Sequence, residues 1–297
     1  MLINAQNLRT IQTGFKTTFR SGLAQAESQY GVVTTNVPSN TREETYGWLG
    51  KLPGMRKWVG DRVVHGLAAH DYSIVNEDFE LTIGVDRNDI EDDRLGIYGP
   101  AFTEMGMAAE SHKDELVWGM FKAGFDTPCF DAQYFFDTDH PVLDADGNAI
   151  SVSNTGGGAG EPWFLIDDSR AIKPIILQNR KENEFVALDN PTDDNVFHKK
   201  TFVYGVDARR GVGFGLWQLA YGSKQTLDAA NYEAARLALT SQKGDYGRPL
   251  AIRPRKLIVG PSNEAPARRL ITSETKANGD TNEWRGTAEV VVVSWLA

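Results

Sequence analysis

The chain has 297 residues, enough to bury a sizeable core and to form about two lobes at ~150 residues per domain, so a single small domain is excluded. Its 41% hydrophobic and 24% charged residues exclude wholesale disorder and fibrous repeats. With 31 Lys and Arg against 40 Asp and Glu the formal charge is −9, which opposes the phosphate-neutralising surface of a dedicated nucleic-acid reader.

The single cysteine, Cys129, excludes an internal disulfide framework and any multi-cysteine zinc site, so stability must come from packing and assembly. An intracellular compartment suits that composition. No apolar run approaches the ~20 residues a bilayer requires, and Met1 to Arg20 lacks the apolar block of a signal peptide. The expectation is a soluble chain that neither spans a membrane nor is secreted.

In the polar first forty-odd residues, Leu8, Ile11, Phe15, Phe19 and Leu23 recur at spacings of three and four, the mark of one helical stripe. Such a helix either packs on its own domain or lies as an arm on a neighbour. From Tyr46 to Arg94 the texture is β. Phe79, Leu81, Ile83 and Val85 alternate with Glu80, Thr82, Gly84 and Asp86, after a turn at Asn76 to Asp78. Upstream, Trp48, Leu49, Leu52, Met55, Trp58 and Val59 are broken by Gly47, Gly50, Pro53, Gly54 and Gly60, too apolar for a solvated loop. An isolated hairpin is marginal in water, so this segment needs a surface to lie on.

Pro100 to Gly124 predicts a long helix, on the order of 35 Å at 1.5 Å per residue, with Phe102, Met105, Ala109, His112, Leu116 and Met120 on one face. His112 reads as a core histidine. Asp137 to Pro162 reads as an extended loop, followed by strand-like runs at Ile172 to Leu177, Phe202 to Val206 and Val212 to Tyr221. The last third predicts a helix from Leu227 to Lys243, a strand from Lys256 to Val259, a helix capped by Ser262 and running to Ile271, and a closing strand from Ala288 to Trp295. The coarse fold class is mixed α+β.

No catalytic, cofactor-binding or metal-binding residue is assigned. Gly156, Gly157, Gly158 and Gly160 lack the Lys and Ser/Thr of a phosphate loop, and Gly211, Gly213 and Gly215 fit close backbone approach better than a dinucleotide fingerprint. Asp144, Asp146, Gly147 and Asn148 read as a turn because the glycine comes too early for a calcium loop, although Asp137, Asp139, Asp144 and Asp146 could together hold a weak cation. The five histidines form no HExxH, and Cys129 has no nucleophile signature. Basic and aromatic residues gather instead: Trp48, Met55, Arg56, Lys57, Trp58 and Arg62 in the hairpin, and Arg209 and Arg210 before the glycine strand. Arg and Trp are enriched at interfaces, so these are the candidate subunit contacts, with Glu91, Asp92 and Asp93 as acidic counterparts on neighbours.

The strings FELTIGVDRNDIEDDRLGIYGP (79–100), FFDTDHPV (135–142), YGVDARRGVGFGLWQLAYGS (204–223), GRPLAIRPRKLIVGPSNE (247–264) and TNEWRGTAEVVVVSWLA (281–297), in that order, resemble the major head subunit of Mu-like tailed bacteriophages over essentially the whole chain. The resemblance implies the Hong Kong 97-type capsid fold: an N-terminal arm (1–45), an E-loop β-hairpin (46–94), a P-domain (95–225) with a spine helix (100–124), and an A-domain with the closing strand (226–297). It further implies a virion shell protein, assembled in the host cytoplasm into pentamers and hexamers of an icosahedral head around double-stranded DNA. That DNA is enclosed without sequence-specific binding, and a separate scaffolding protein, a maturation protease and a portal are the implied partners. Two other functions compete with it: a soluble hydrolase using acidic residues of 137–146, and a head-decoration or adaptor protein.

Overall fold

The computed structural model describes residues 2–47, 49, 72–92, 94–276 and 278–297. The interface candidates Trp48, Met55, Arg56, Lys57, Trp58, Arg62 and Asp93 lie outside the described residues. Helix α1 (Ala5–Gln25) leads to β1 (Thr34–Pro38) and to a short ladder of β2 (Glu43–Thr45) with β3 (Ser73–Val75). β4 (Glu77–Asp86) and the brief α2 (Arg87–Glu91) precede the long α3 (Gly99–Lys122). A hairpin of β5 (His140–Leu143) and β6 (Ala149–Val152) is followed by β7 (Thr155–Gly158), β8 (Trp163–Ile166), β9 (Ile175–Leu188), α4 (Asp194–Lys199), β10 (Thr201–Phe214) and β11 (Ala220–Lys224). The chain ends through α5 (Ala229–Thr240), the two-residue pair β12 (Lys243–Gly244) and β13 (Arg248–Pro249), β14 (Lys256–Val259), α6 (Glu264–Thr272) and β15 (Glu289–Val292).

Two sheets organise two cores. The first has the order β1-β9-β10-β4, and its inner face carries Phe202, Tyr204 and Val206 against Val85. α1 and the first half of α3 cover that face. The Asn4 side chain caps α1 by accepting from the Asn7 N–H at 2.8 Å, and Leu8, Ile11, Phe15 and Phe19 are buried, with Phe15 stacked on Phe102 at 4.1 Å between ring centres. The two helices touch backbone to backbone. A Cβ on Gly22 would lie 2.0 Å from the Thr103 carbonyl oxygen, and one on Gly106 2.1 Å from that of Phe19. The apolar stripe of the first segment is therefore satisfied within its own chain, not on a neighbour.

The second sheet, β15-β14-β8-β11-β7, has β8 at its centre with all four residues buried, as a strand covered on both faces requires. Val117, Trp118 and Phe121 from the end of α3, and Tyr232, Ala235 and Leu239 from α5, pack into this second core. α3 thus serves both cores, and its buried face turns by roughly 120° between Met105 and Val117, at 100° per residue. For that reason the expected stripe drifts off the core: Leu116 and Met120 are only half-buried, while Val117, Trp118 and Phe121 are fully buried.

Several boundaries differ from the expectations. The segment 137–162 is not a plain loop but holds β5, β6 and β7. The runs 202–206 and 212–221 are parts of β10 and β11, and β9 extends to Leu188 through an alternating, half-exposed stretch whose charges hid it. Asp228, not an earlier residue, caps α5, and α6 follows a 3-10 turn at Pro261–Asn263 without a side-chain cap, so Ser262 is not the N-cap. The closing strand stops at Val292 because residues 294–296 turn to bury Leu296. The glycines of β10 do mark close approach: a Cβ on Gly211 would lie 2.4 Å from the Val75 carbonyl oxygen, and one on Gly213 2.5 Å from the Ile74 side chain.

Candidate assembly surfaces and buried polar clusters

Among the described residues, Arg209 and Glu91, two of the charges expected to face neighbours, have partners on their own chain. Arg209 lies opposite Asp78 across the β10–β4 ladder, with Nε 3.4 Å from the carboxylate, and Glu91 accepts from Arg87 Nε at 2.9 Å one turn away on α2. Asp92 is exposed at the end of α2, where its N–H donates to the Asn88 carbonyl at 2.8 Å. Lys256 pairs with Glu289 at 2.5 Å across the β14–β15 ladder. Exposed pairs of this kind contribute about 0–1 kcal/mol each.

Arg210 is different. Alternation along β10 turns it inward, and it is 1% exposed, so it offers no surface contact as the isolated subunit stands. Its Nη2 donates to Asn183 Oδ1, while Nε and Nη1 are buried without an acceptor. The carboxylates of Glu110 and Glu182 lie 3.0 and 3.4 Å from Lys113 Nζ, which is itself buried on α3. His112, also on α3, packs edge-on to Phe79 at 4.3 Å. Burial, and then the positive Arg210 nearby, push its pKa below the ordinary value, only partly opposed by Glu115.

Two more polar clusters escaped the periodicity reading because charged residues carry no apolar signal. Asp114, buried on α3, accepts from the Gln29 and Tyr30 N–H groups at 2.8 and 2.6 Å and from Trp118 Nε1 at 3.2 Å, which ties the segment after α1 to α3. In the loop after α3, Asp131 accepts from the Cys129 thiol at 3.0 Å and, through its other oxygen, from His140 Nδ1 at 2.8 Å. The His140 ring stacks on Trp217 at 3.9 Å. Burial, reinforced by Asp131, drives the Cys129 thiol far above its usual pKa, so it stays protonated. These three side chains bring their ligand atoms within 4.8 Å of one another, but each already bonds inside the cluster.

The acidic loop is a turn. Asp144 Oδ1 accepts from the Asp146 and Asn148 N–H groups at 2.9 and 2.8 Å, and Gly147 takes a positive φ of 87° to join β5 to β6. Among the described residues no helix is long and apolar enough to cross a membrane.

Comparison with known proteins supplies the family. The family described as Mu-like prophage major head subunit gpT matches residues 8–296. The chain is 40% identical over 305 residues to the major capsid protein of Escherichia phage Mu, covering 100% of both. It is 44% identical over 277 residues to the Mu-like prophage FluMu major head subunit of Haemophilus influenzae, covering 91% of this chain and 90% of that one. Among solved structures, a subunit of the procapsid of bacteriophage JBD30 superimposes with a TM-score of 0.88 at 43% identity, covering 99% of this chain and 100% of that one. A subunit of the JBD30 capsid gives 0.79 at 33% identity, covering 100% of each. The two-core α+β architecture strung on one long helix is that of Hong Kong 97-type capsid proteins, and the chain belongs to the Mu-like major head subunit family.

Proposed function

We infer from this membership that the chain is a structural building block of a phage head and that it associates with copies of itself. Its family relatives are capsid proteins, not enzymes, and the hydrolase reading of 137–146 loses its basis where Asp144 caps its own turn. The observation that carries the conclusion is the full-length superposition on a subunit taken from an assembled procapsid.

The finer reading is that pentamers and hexamers close an icosahedral shell around double-stranded DNA in the virion, after assembly in the host cytoplasm. A separate scaffolding protein, a maturation protease and a portal would take part. A charge of −9 supports enclosure without condensation, because an acidic wall leaves the genome free to move in and out. We assign residues 1–45, 46–94, 95–225 and 226–297 to arm, E-loop, P-domain and A-domain, and place Trp48, Met55, Arg56, Lys57, Trp58 and Arg62 at contacts between subunits. The relative's capsid in one JBD30 structure is decorated with minor capsid protein trimers, and by that likeness we assign this shell a similar decorating partner. Electron microscopy of the purified chain, alone and with its scaffolding protein, tests the reading. Rings, tubes or closed shells are expected, and a persistent monomer under both conditions would overturn it.

A further inference from the structure

β4 is the outermost strand of its sheet. It pairs with β10 from Glu77 opposite Arg210 to Asp86 opposite Thr201, and among the described residues no strand pairs with its other side. The backbone groups of alternate residues along this strand therefore have no ladder partner among the described residues, and Glu77, Asp78, Glu80, Leu81, Thr82, Gly84 and Asp86 are all exposed. A long open edge is a template for another strand unless something covers it.

Beside that edge lies a cavity of about 270 Å³, between the inner face of the sheet and α3. It exists because Ala108, Ala109 and Ala208 are small where helix and sheet approach. Phe79 and His112 wall it, and Leu81, whose ladder partner Val206 is buried, stays 40% exposed in its lining. Arg210 also lines the cavity, and its Nε and Nη1 are buried and lack acceptors. No carboxylate nearby meets them: Glu110 and Glu182 hold Lys113, and the Glu115 side of the cavity offers no hydrogen bond to the guanidinium. Buried donors are normally paired, so this guanidinium has unmet capacity for an acceptor.

We propose that an extended segment of a neighbouring copy of this chain adds to the open edge of β4 and places one side chain, tipped with a carboxylate or amide oxygen, in the cavity against Arg210. Backbone pairing supplies affinity in strand addition, and a pocket for alternate side chains supplies selectivity. The occupant is a second copy because the JBD30 subunits that share this fold stand in a procapsid and a capsid, where the neighbour is another copy of the same chain. The inference rests on the shell reading above, and its test separates the two.

Benzoylphenylalanine in place of Leu81, irradiated in assembled shells, is expected to give a band of twice the chain mass. Peptide mapping should resolve it into two copies of this chain, and the unassembled subunit should give no such band. Ala108→Phe, which fills the cavity from an exposed helix position, is expected to lower shell yield at least tenfold while circular dichroism and the denaturation midpoint match the unmodified subunit. Cross-links confined to one chain or made to a different protein would overturn the inference, as would normal shell yield from a folded Ala108→Phe subunit. Failure of the unmodified chain to assemble at all would overturn the shell reading and the inference with it.

Discussion

At Asp131 one carboxylate holds two buried partners, Cys129 and His140, and the ring of His140 carries the contact on to Trp217. Burial works to raise the Asp131 pKa, but the hydrogen bonds from His140 and Cys129 outweigh it and hold the group below its ordinary 3.8. A depressed folded pKa means that the unfolded chain binds more protons just below the ordinary value. The stabilisation is complete above that value and is lost as pH falls through the folded one. Between about pH 5 and 3 the unmodified subunit should therefore lose stability faster than Asp131→Asn, read from urea midpoints at each pH. The same burial keeps the Cys129 thiol protonated and covered. Thiol reagents at pH 8 should leave it unmodified in the native subunit and label it fully in denaturant; rapid native labelling would contradict this environment.

At the scale of elements, α3 is a shared wall whose two halves face different cores. Phe121→Ala should cost about 3–5 kcal/mol, whereas Leu116→Ala should cost clearly less because Leu116 is only half-buried. Equal losses in denaturant midpoints would restore the single-stripe register. The α1–α3 contact depends on two glycines. Gly106→Ala would place a methyl group 2.1 Å from the Phe19 carbonyl oxygen, and because that atom is backbone the helices must move apart. A loss of about 1–3 kcal/mol is expected from such overpacking, while Gly14→Ala, which meets nothing within 4 Å, should be neutral or mildly stabilising.

For the whole molecule, charge argues against a nucleic-acid role outside a shell. The subunit carries −9, and Arg209 and Lys256 already hold carboxylates of their own chain. Fluorescence anisotropy with duplex DNA should show only weak binding by the unassembled subunit at physiological salt. Tight binding that falls steeply with log salt would show the arginines contacting phosphates instead.

Local patterning determined much of this architecture. The 3.6-residue stripe of α1, the two-residue alternation of β4, the buried run of β14 and the proline that opens α3 are each written within a few neighbouring residues, and each stands in the structure close to where it was expected. The string order identified the family for the same reason: side-by-side resemblance needs no contacts. What the tertiary structure decided was where each face went. Arg209 and Arg210 are neighbours of identical type, yet strand alternation and the cover of α3 leave one paired with Asp78 and half-exposed and the other sealed beside a cavity. The turn of the buried face along α3, the meeting of Asp131 with His140 and the open side of β4 likewise depend on which elements pack together. Those contacts join residues far apart in the chain, and no local period encodes them.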